Sequence, residues 1–207
     1  YQTSAGSTDI FSHLLEQYFS SHIDDGIADR LNESMMINVI NYARTAVDNP
    51  ENYEARANLL WTSSLALNNL IAYGKKHGDW SSHGIEHELS AIYDITHGAG
   101  LAILFPNVLK SFLAKDIKEN LSLVKFVNLG RNVFRLDETD EKKLAEKTID
   151  KIREFFNSLD MPSTLAEEKV DSSKIDVMAK GAARSGTIGY YHKLTEADVF
   201  EILENSL

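Results

Sequence analysis

Apolar residues recur at helical spacing along almost all of this 207-residue chain. Strict alternation of the kind a half-buried strand needs is hard to find. Ile10, Leu14 and Tyr18 form one row four residues apart, with Phe11, Leu15 and Phe19 beside it. Leu31, Met35, Val39, Ala43 and Val47 repeat the pattern. Asn49 before Pro50 reads as an N-cap and first helical position, opening a helix through Trp61, Leu65 and Leu70 that closes at Gly74. Ser173 with Asp176, and Thr195 with Asp198, resemble capping boxes that use a shorter acid. Residues 99–109 are apolar on every side, which marks a buried central helix that Pro106 should kink or shorten. Leu144, Ile149, Ile152 and Phe156 make a thin apolar stripe in a charge-rich segment, the pattern of an outer helix. The expectation is an all-α fold of about eight to ten helices, with no repeat or linker dividing it.

Composition excludes several kinds of chemistry. There is no cysteine, so no disulfide, thiolate metal site, iron–sulfur cluster or cysteine nucleophile is available. The balance of 21 basic against 31 acidic residues gives a net charge of −10, which argues against binding nucleic acid or an anionic membrane through bulk charge. The long apolar run is too short to span a bilayer. No secretory signal opens the sequence, and its first residue is Tyr1, so a processed or truncated product is expected.

What remains is histidine and carboxylate chemistry. His83, His87 and His97 lie close together, and Asp9 stands four residues before His13. On a helix Asp9 and His13 share one face, beside the apolar row of Ile10, Leu14 and Tyr18. Such groups at the edge of a core need a partner, because unpaired burial costs several kcal/mol. The pair also reads as a helix-start aspartate hydrogen-bonded to its histidine. Together with two or three further histidines it fits a divalent metal with nitrogen and oxygen ligands. His83 and His97 can meet only if the chain turns between them, since one straight helix would hold them roughly 21 Å apart. The Asp94–Gly98 stretch offers that break. Spacing alone leaves open whether His83 or His87 is the ligand. A zinc-protease motif fails, because Gly84 stands where the glutamate should be. A metal hydrolase would need a second acidic pair, and none is convincing. His22, His77 and His192 read as solvated surface histidines, Trp61 and Trp80 as packing residues.

The runs Ser7-Thr8-Asp9-Ile10-Phe11-Ser12-His13, His83-Gly84-Ile85-Glu86-His87-Glu88-Leu89 through Asp94-Ile95-Thr96-His97-Gly98, and Leu101-Ala102-Ile103-Leu104-Phe105-Pro106 together resemble the group III, iron-containing alcohol dehydrogenases. Gly78-Asp79-Trp80 and the residues after His87 look most like the butanol dehydrogenase branch. The resemblance covers essentially the whole chain. It implies a metal held by Asp9, His13, His83 and His97, with iron(II) preferred and zinc a less active substitute. It places His87 near the nicotinamide and substrate, where it could support proton transfer. It also implies NAD(P)-linked interconversion of small alcohols and aldehydes, and a homodimer in full-length form. Members of that family are roughly twice as long and begin with an α/β nucleotide-binding domain. No strand–glycine-loop–helix unit is legible here, so residues 1–207 are expected to form one helical metal-binding domain, the C-terminal half of such an enzyme. The isolated chain is expected not to turn over, NAD(P)H being bound mainly by the other half. The reading from a different class is a non-enzymatic helical domain with a structural or regulatory metal. The lack of cysteine suits a reducing cytoplasm.

Overall fold

The computed structural model describes residues 1–75 and 77–207. The helical spacings produce nine α-helices among them: α1 (Gln2–Tyr18), α2 (Ile27–Asp48), α3 (Tyr53–Ala66), α4 (Ser81–Tyr93), α5 (His97–Glu119), α6 (Val124–Asn132), α7 (Glu141–Ser158), α8 (Ile175–Ala182) and α9 (Glu196–Glu204). Among the described residues there is no strand, only an isolated antiparallel bridge between Ile188 and Leu194. None of the described helices is long and apolar enough to cross a membrane.

Two helices carry the centre. On α1, Phe11, Leu14, Leu15 and Tyr18 are fully buried. On α5, every residue from Gly98 to Leu109 is buried, as expected for a segment apolar on all sides. α5 packs against α1, α4, α7 and α9, while α1 also packs against α2 and α3. The stripe of Leu144, Ile149, Ile152 and Phe156 turns inward from α7, leaving its charged side to solvent. The start of α5 crosses α1 at backbone contact. A Cβ on Gly98 would lie 2.2 Å from the Ala5 carbonyl oxygen, so only glycine permits this crossing. Ala5 is one helical turn before Asp9, and Gly98 directly follows His97. The close approach therefore brings those two side chains to the same place.

The structure departs from the sequence reading at several points. Asn49 and Pro50 belong to a turn closed by a hydrogen bond from Asn52 N to the Asn49 carbonyl, and the cap of α3 is Asn52, whose side chain accepts from Ala55 N. That helix stops at Ala66 rather than Gly74, because Asn69 takes a left-handed conformation before a short 3₁₀ turn at Leu70–Ala72. Ser173 caps nothing; Asp171 accepts from Ser173 N instead. Thr195 and Asp198 do form a complete capping box on α9. Pro106 does not end α5, which continues to Glu119. Its missing N–H leaves only one carbonyl of the preceding turn without its usual partner. Trp61 is 67% exposed and packs little. His77 is exposed, but His192 is buried and His22 half-buried, because both rings point at Asp116 near the far end of α5.

Candidate metal centre

Three helices bring the candidate ligands together. Asp9 and His13 lie on successive turns of α1, His83 in the first turn of α4, and His97 at the first position of α5. The chain turns back between the last two. Asp94 ends α4 in a left-handed conformation and Thr96 opens α5, so the His83 and His97 rings sit with centroids 5.3 Å apart. Asp9 Oδ1 is the hub. His13 Nδ1 stands 3.1 Å from it, His97 Nε2 3.5 Å and His83 Nε2 3.6 Å.

Each ring is fixed through its Nδ1. That of His13 lies 2.9 Å from the Asp9 carbonyl oxygen, and that of His83 lies 3.1 Å from Glu16 Oε1. His97 Nδ1 contacts Glu86 Oε2. Carbonyl and carboxylate oxygens only accept, so Nδ1 carries a proton in each ring and Nε2 is the atom left for another partner. The carboxylate or carbonyl behind each imidazole orients it and raises its basicity. Glu16 and Glu86 are themselves buried. Glu16 also accepts from the backbone N–H groups of Trp80 (2.7 Å) and His83 (3.0 Å), closing the open N-terminus of α4. Glu86 is held by the Ser90 hydroxyl, and lies against Gly100, where a Cβ would come within 2.7 Å of it.

These two glutamates were missed in the sequence. The signal was a repeated spacing: Glu16 follows His13 by three residues and Glu86 follows His83 by three, which puts each acid on its histidine's face. Each in fact serves a histidine on another helix, Glu16 that of α4 and Glu86 that of α5, a pairing that spacing does not reveal. Trp80 was misread as well. Its backbone is left-handed, and its ring, 36% exposed, stands edge-on to His13 and His83.

The electrostatics suit a cation. Asp9 Oδ1 and His83 Nε2 are buried without a hydrogen-bond partner, an arrangement that costs free energy until something fills it. Burial raises the Asp9 carboxyl, but the imidazoles of His13, His83 and His97 outweigh it and hold the group well below the usual carboxylate range. For His83, burial disfavours the charged ring, yet Asp9 and Glu16 prevail and push it up to about 9. A metal ion must therefore displace a proton there, as metal binding to histidine commonly does. One carboxylate, three imidazoles and unpaired atoms turned inward fit a divalent transition metal. His87 stands apart from this hub. It is exposed, one turn along α4 from His83, and stacks on His97 with centroids 5.5 Å apart.

Residues 3–207 match the model of the Fe-containing alcohol dehydrogenase family, C-terminal domain. The chain belongs to this family. It is 45% identical, over 99% of its length, to NADH-dependent butanol dehydrogenase A of Clostridium acetobutylicum, covering 52% of that protein. It is 31% identical to the NADPH-dependent aldehyde reductase YqhD of Escherichia coli, over 94% of this chain and 49% of that one. The crystal structure of NADH-dependent butanol dehydrogenase A from Thermotoga maritima superimposes with a TM-score of 0.90 at 31% identity, over 99% of this chain and 52% of that one. The chain thus spans about half the length of the curated relatives it matches. Its all-α architecture is that of the family's C-terminal domain.

Proposed function

We propose that this chain is the metal-binding half of an NAD(P)-linked dehydrogenase that interconverts small alcohols and aldehydes, with iron(II) held by Asp9, His13, His83 and His97. One observation carries the reading: the rings of His13, His83 and His97 come within 3.1, 3.6 and 3.5 Å of the buried Oδ1 of Asp9, with the His83 and His97 rings held at Nδ1 by buried glutamates. The names of the butanol dehydrogenase and aldehyde reductase relatives supply the reaction class. When bound, the ion supplies a Lewis acid that polarises a carbonyl or favours the alkoxide of an alcohol.

The chain's own residues set the conditions for that chemistry. One carboxylate among three neutral imidazoles leaves a divalent ion with net positive charge, and the protein fills four positions around it. Iron(II) accepts a fifth or sixth ligand more readily than zinc, which is closed at four. Glu16 and Glu86 keep the His83 and His97 rings from rotating as substrate enters. Trp80 shields the His13 and His83 side from water. His87, exposed and stacked on His97, would take up or release a proton at its ring nitrogen during turnover. NAD(P)H would be bound mainly by a part of the full-length protein outside these residues.

The test is NADH- and NADPH-dependent reduction of butanal by the full-length protein that carries this chain. Activity abolished by chelation and restored by iron(II), with His87→Gln lowering kcat by about 10²–10⁴-fold while retaining metal, is the expected result. Full activity after chelation, or in Asp9→Asn, contradicts the proposal.

A further inference from the structure

A second group of metal-ligating side chains lies at the other end of α5. Asp116 is nineteen residues beyond His97 on the same helix, roughly 28 Å away. Its side chain is fully buried, and two rings from separate loops converge on one of its oxygens: His22 Nε2 at 3.0 Å and His192 Nε2 at 2.7 Å from Oδ1. The Tyr191 hydroxyl donates to Oδ2 at 2.8 Å. The three ligand atoms all lie within 4.8 Å of one another. Among the described residues the ion pairs of Asp116 are only to these rings, while the nearby lysines Lys75 and Lys125 are taken up by Asp25 and Asp29. Among the described residues this buried carboxylate has no permanently charged partner.

The geometry points to a second divalent metal site formed by His22, Asp116 and His192, taking zinc or a similar borderline ion. With metal–ligand bonds of about 2.0 Å at tetrahedral angles, neighbouring ligand atoms stand about 3.3 Å apart. The two histidine–carboxylate separations, 3.0 and 2.7 Å, need open by about 0.3 and 0.6 Å to reach that spacing. Aromatic packing holds the rings in place: His22 stacks on Tyr191 at 4.0 Å, and Phe112 packs against both Tyr191 and His192. His22 and Tyr191 line a surface cavity with Ser20, Ser21, Asp25, Tyr190 and the Asp29-paired Lys75, so the cluster meets solvent on the His22 side, while Asp116 and His192 lie behind it. An ion bound there ties the loop before α2, the end of α5 and the loop before α9 into one unit. Its role is structural, since it stands far from the candidate catalytic ligands.

Zinc bound after equilibrium dialysis, measured by mass spectrometry on the 207-residue chain, tests this independently of the first site. In Asp9→Asn, about one zinc per chain should remain, and Asp116→Asn or His192→Gln added to it should remove that ion. Zinc should also raise the thermal midpoint of Asp9→Asn, but not that of the double variants that combine Asp9→Asn with Asp116→Asn or His192→Gln. If either change unfolds the chain, judged by its far-ultraviolet circular dichroism, His22→Gln on the half-exposed side replaces it. No bound zinc in Asp9→Asn, or the same amount after Asp116, His192 or His22 is changed, overturns the proposal and leaves the cluster as a hydrogen-bonded clasp.

Discussion

Glu16 joins functions that the sequence shows as separate. Its carboxylate caps α4 and fixes the His83 ring, so one side chain couples a helix end to a ligand's orientation. Glu16→Gln keeps the volume but offers one acceptor oxygen where two are used. Glu86→Gln does the same behind His97. Each is expected to weaken metal binding about 10–100-fold, as loss of a carboxylate behind a ligating histidine typically does. Competition against a chromophoric chelator measures it, and unchanged affinity in both variants would remove these acids from the account. Asp79 gives a pH-dependent prediction. Burial, and then the nearby Glu16, push it up to about 6, against the hydrogen bonds it accepts from Ser81, Tyr190 and Tyr191. A carboxyl raised above its unfolded value near 3.8 contributes stability at low pH and loses that contribution as pH rises through about 6. Asp79→Asn is neutral throughout and lacks an acceptor for Ser81. The parent's advantage over it in unfolding free energy should narrow by about 3 kcal/mol from pH 4 to pH 7, read from urea denaturation at each pH.

At the scale of elements, the site depends on how closely α5 approaches α1. A methyl group on Gly98 would drive into the Ala5 carbonyl, so Gly98→Ala must move the start of α5 and carry His97 away from Asp9. We expect a loss of about 1–3 kcal/mol in stability, the usual scale of overpacking, together with metal affinity reduced by at least tenfold. Thermal unfolding and the chelator competition measure the two effects separately. Helix positions were legible wherever a long apolar face exists, as on α1, α5 and α7. Ends were legible only when the cap is local. Thr195 and Asp198 satisfy each other within one turn, and that box is present. The start of α4 is closed by Glu16 from another helix, and the turn at Asn49 moved the cap of α3 to Asn52. No local motif records a cap supplied from a distance, or the competition between two nearby asparagines.

Across the whole molecule, the all-α class was legible from helical spacing. The grouping of Asp9 with His13, His83 and His97 came instead from the family resemblance, since spacing alone left His83 and His87 as alternatives. The buried polar partners were not legible, since a glutamate or lysine in sequence looks solvated until its neighbours are placed. Lys125 shows this well: its side chain is fully buried, with Nζ 2.7 Å from Asp25 and 2.6 Å from Asp29, far from any helix surface its charge would suggest. Lys75 reaches the same Asp29 at 2.8 Å, so the pair joins the α1–α2 region to α6 through one carboxylate. Lys125→Met should destabilise the chain by about 3–5 kcal/mol, because it strips a buried charge of one partner, while leaving the metal content unchanged. Asp9 and His97, which come from different helices, are proposed to hold one ion. Anaerobic titration of the chain with iron(II), alongside Asp9→Asn and His97→Gln, tests it most directly. One tight ferrous ion is expected in the parent, lost in both variants while each stays folded. A tight ion retained in either variant would contradict it.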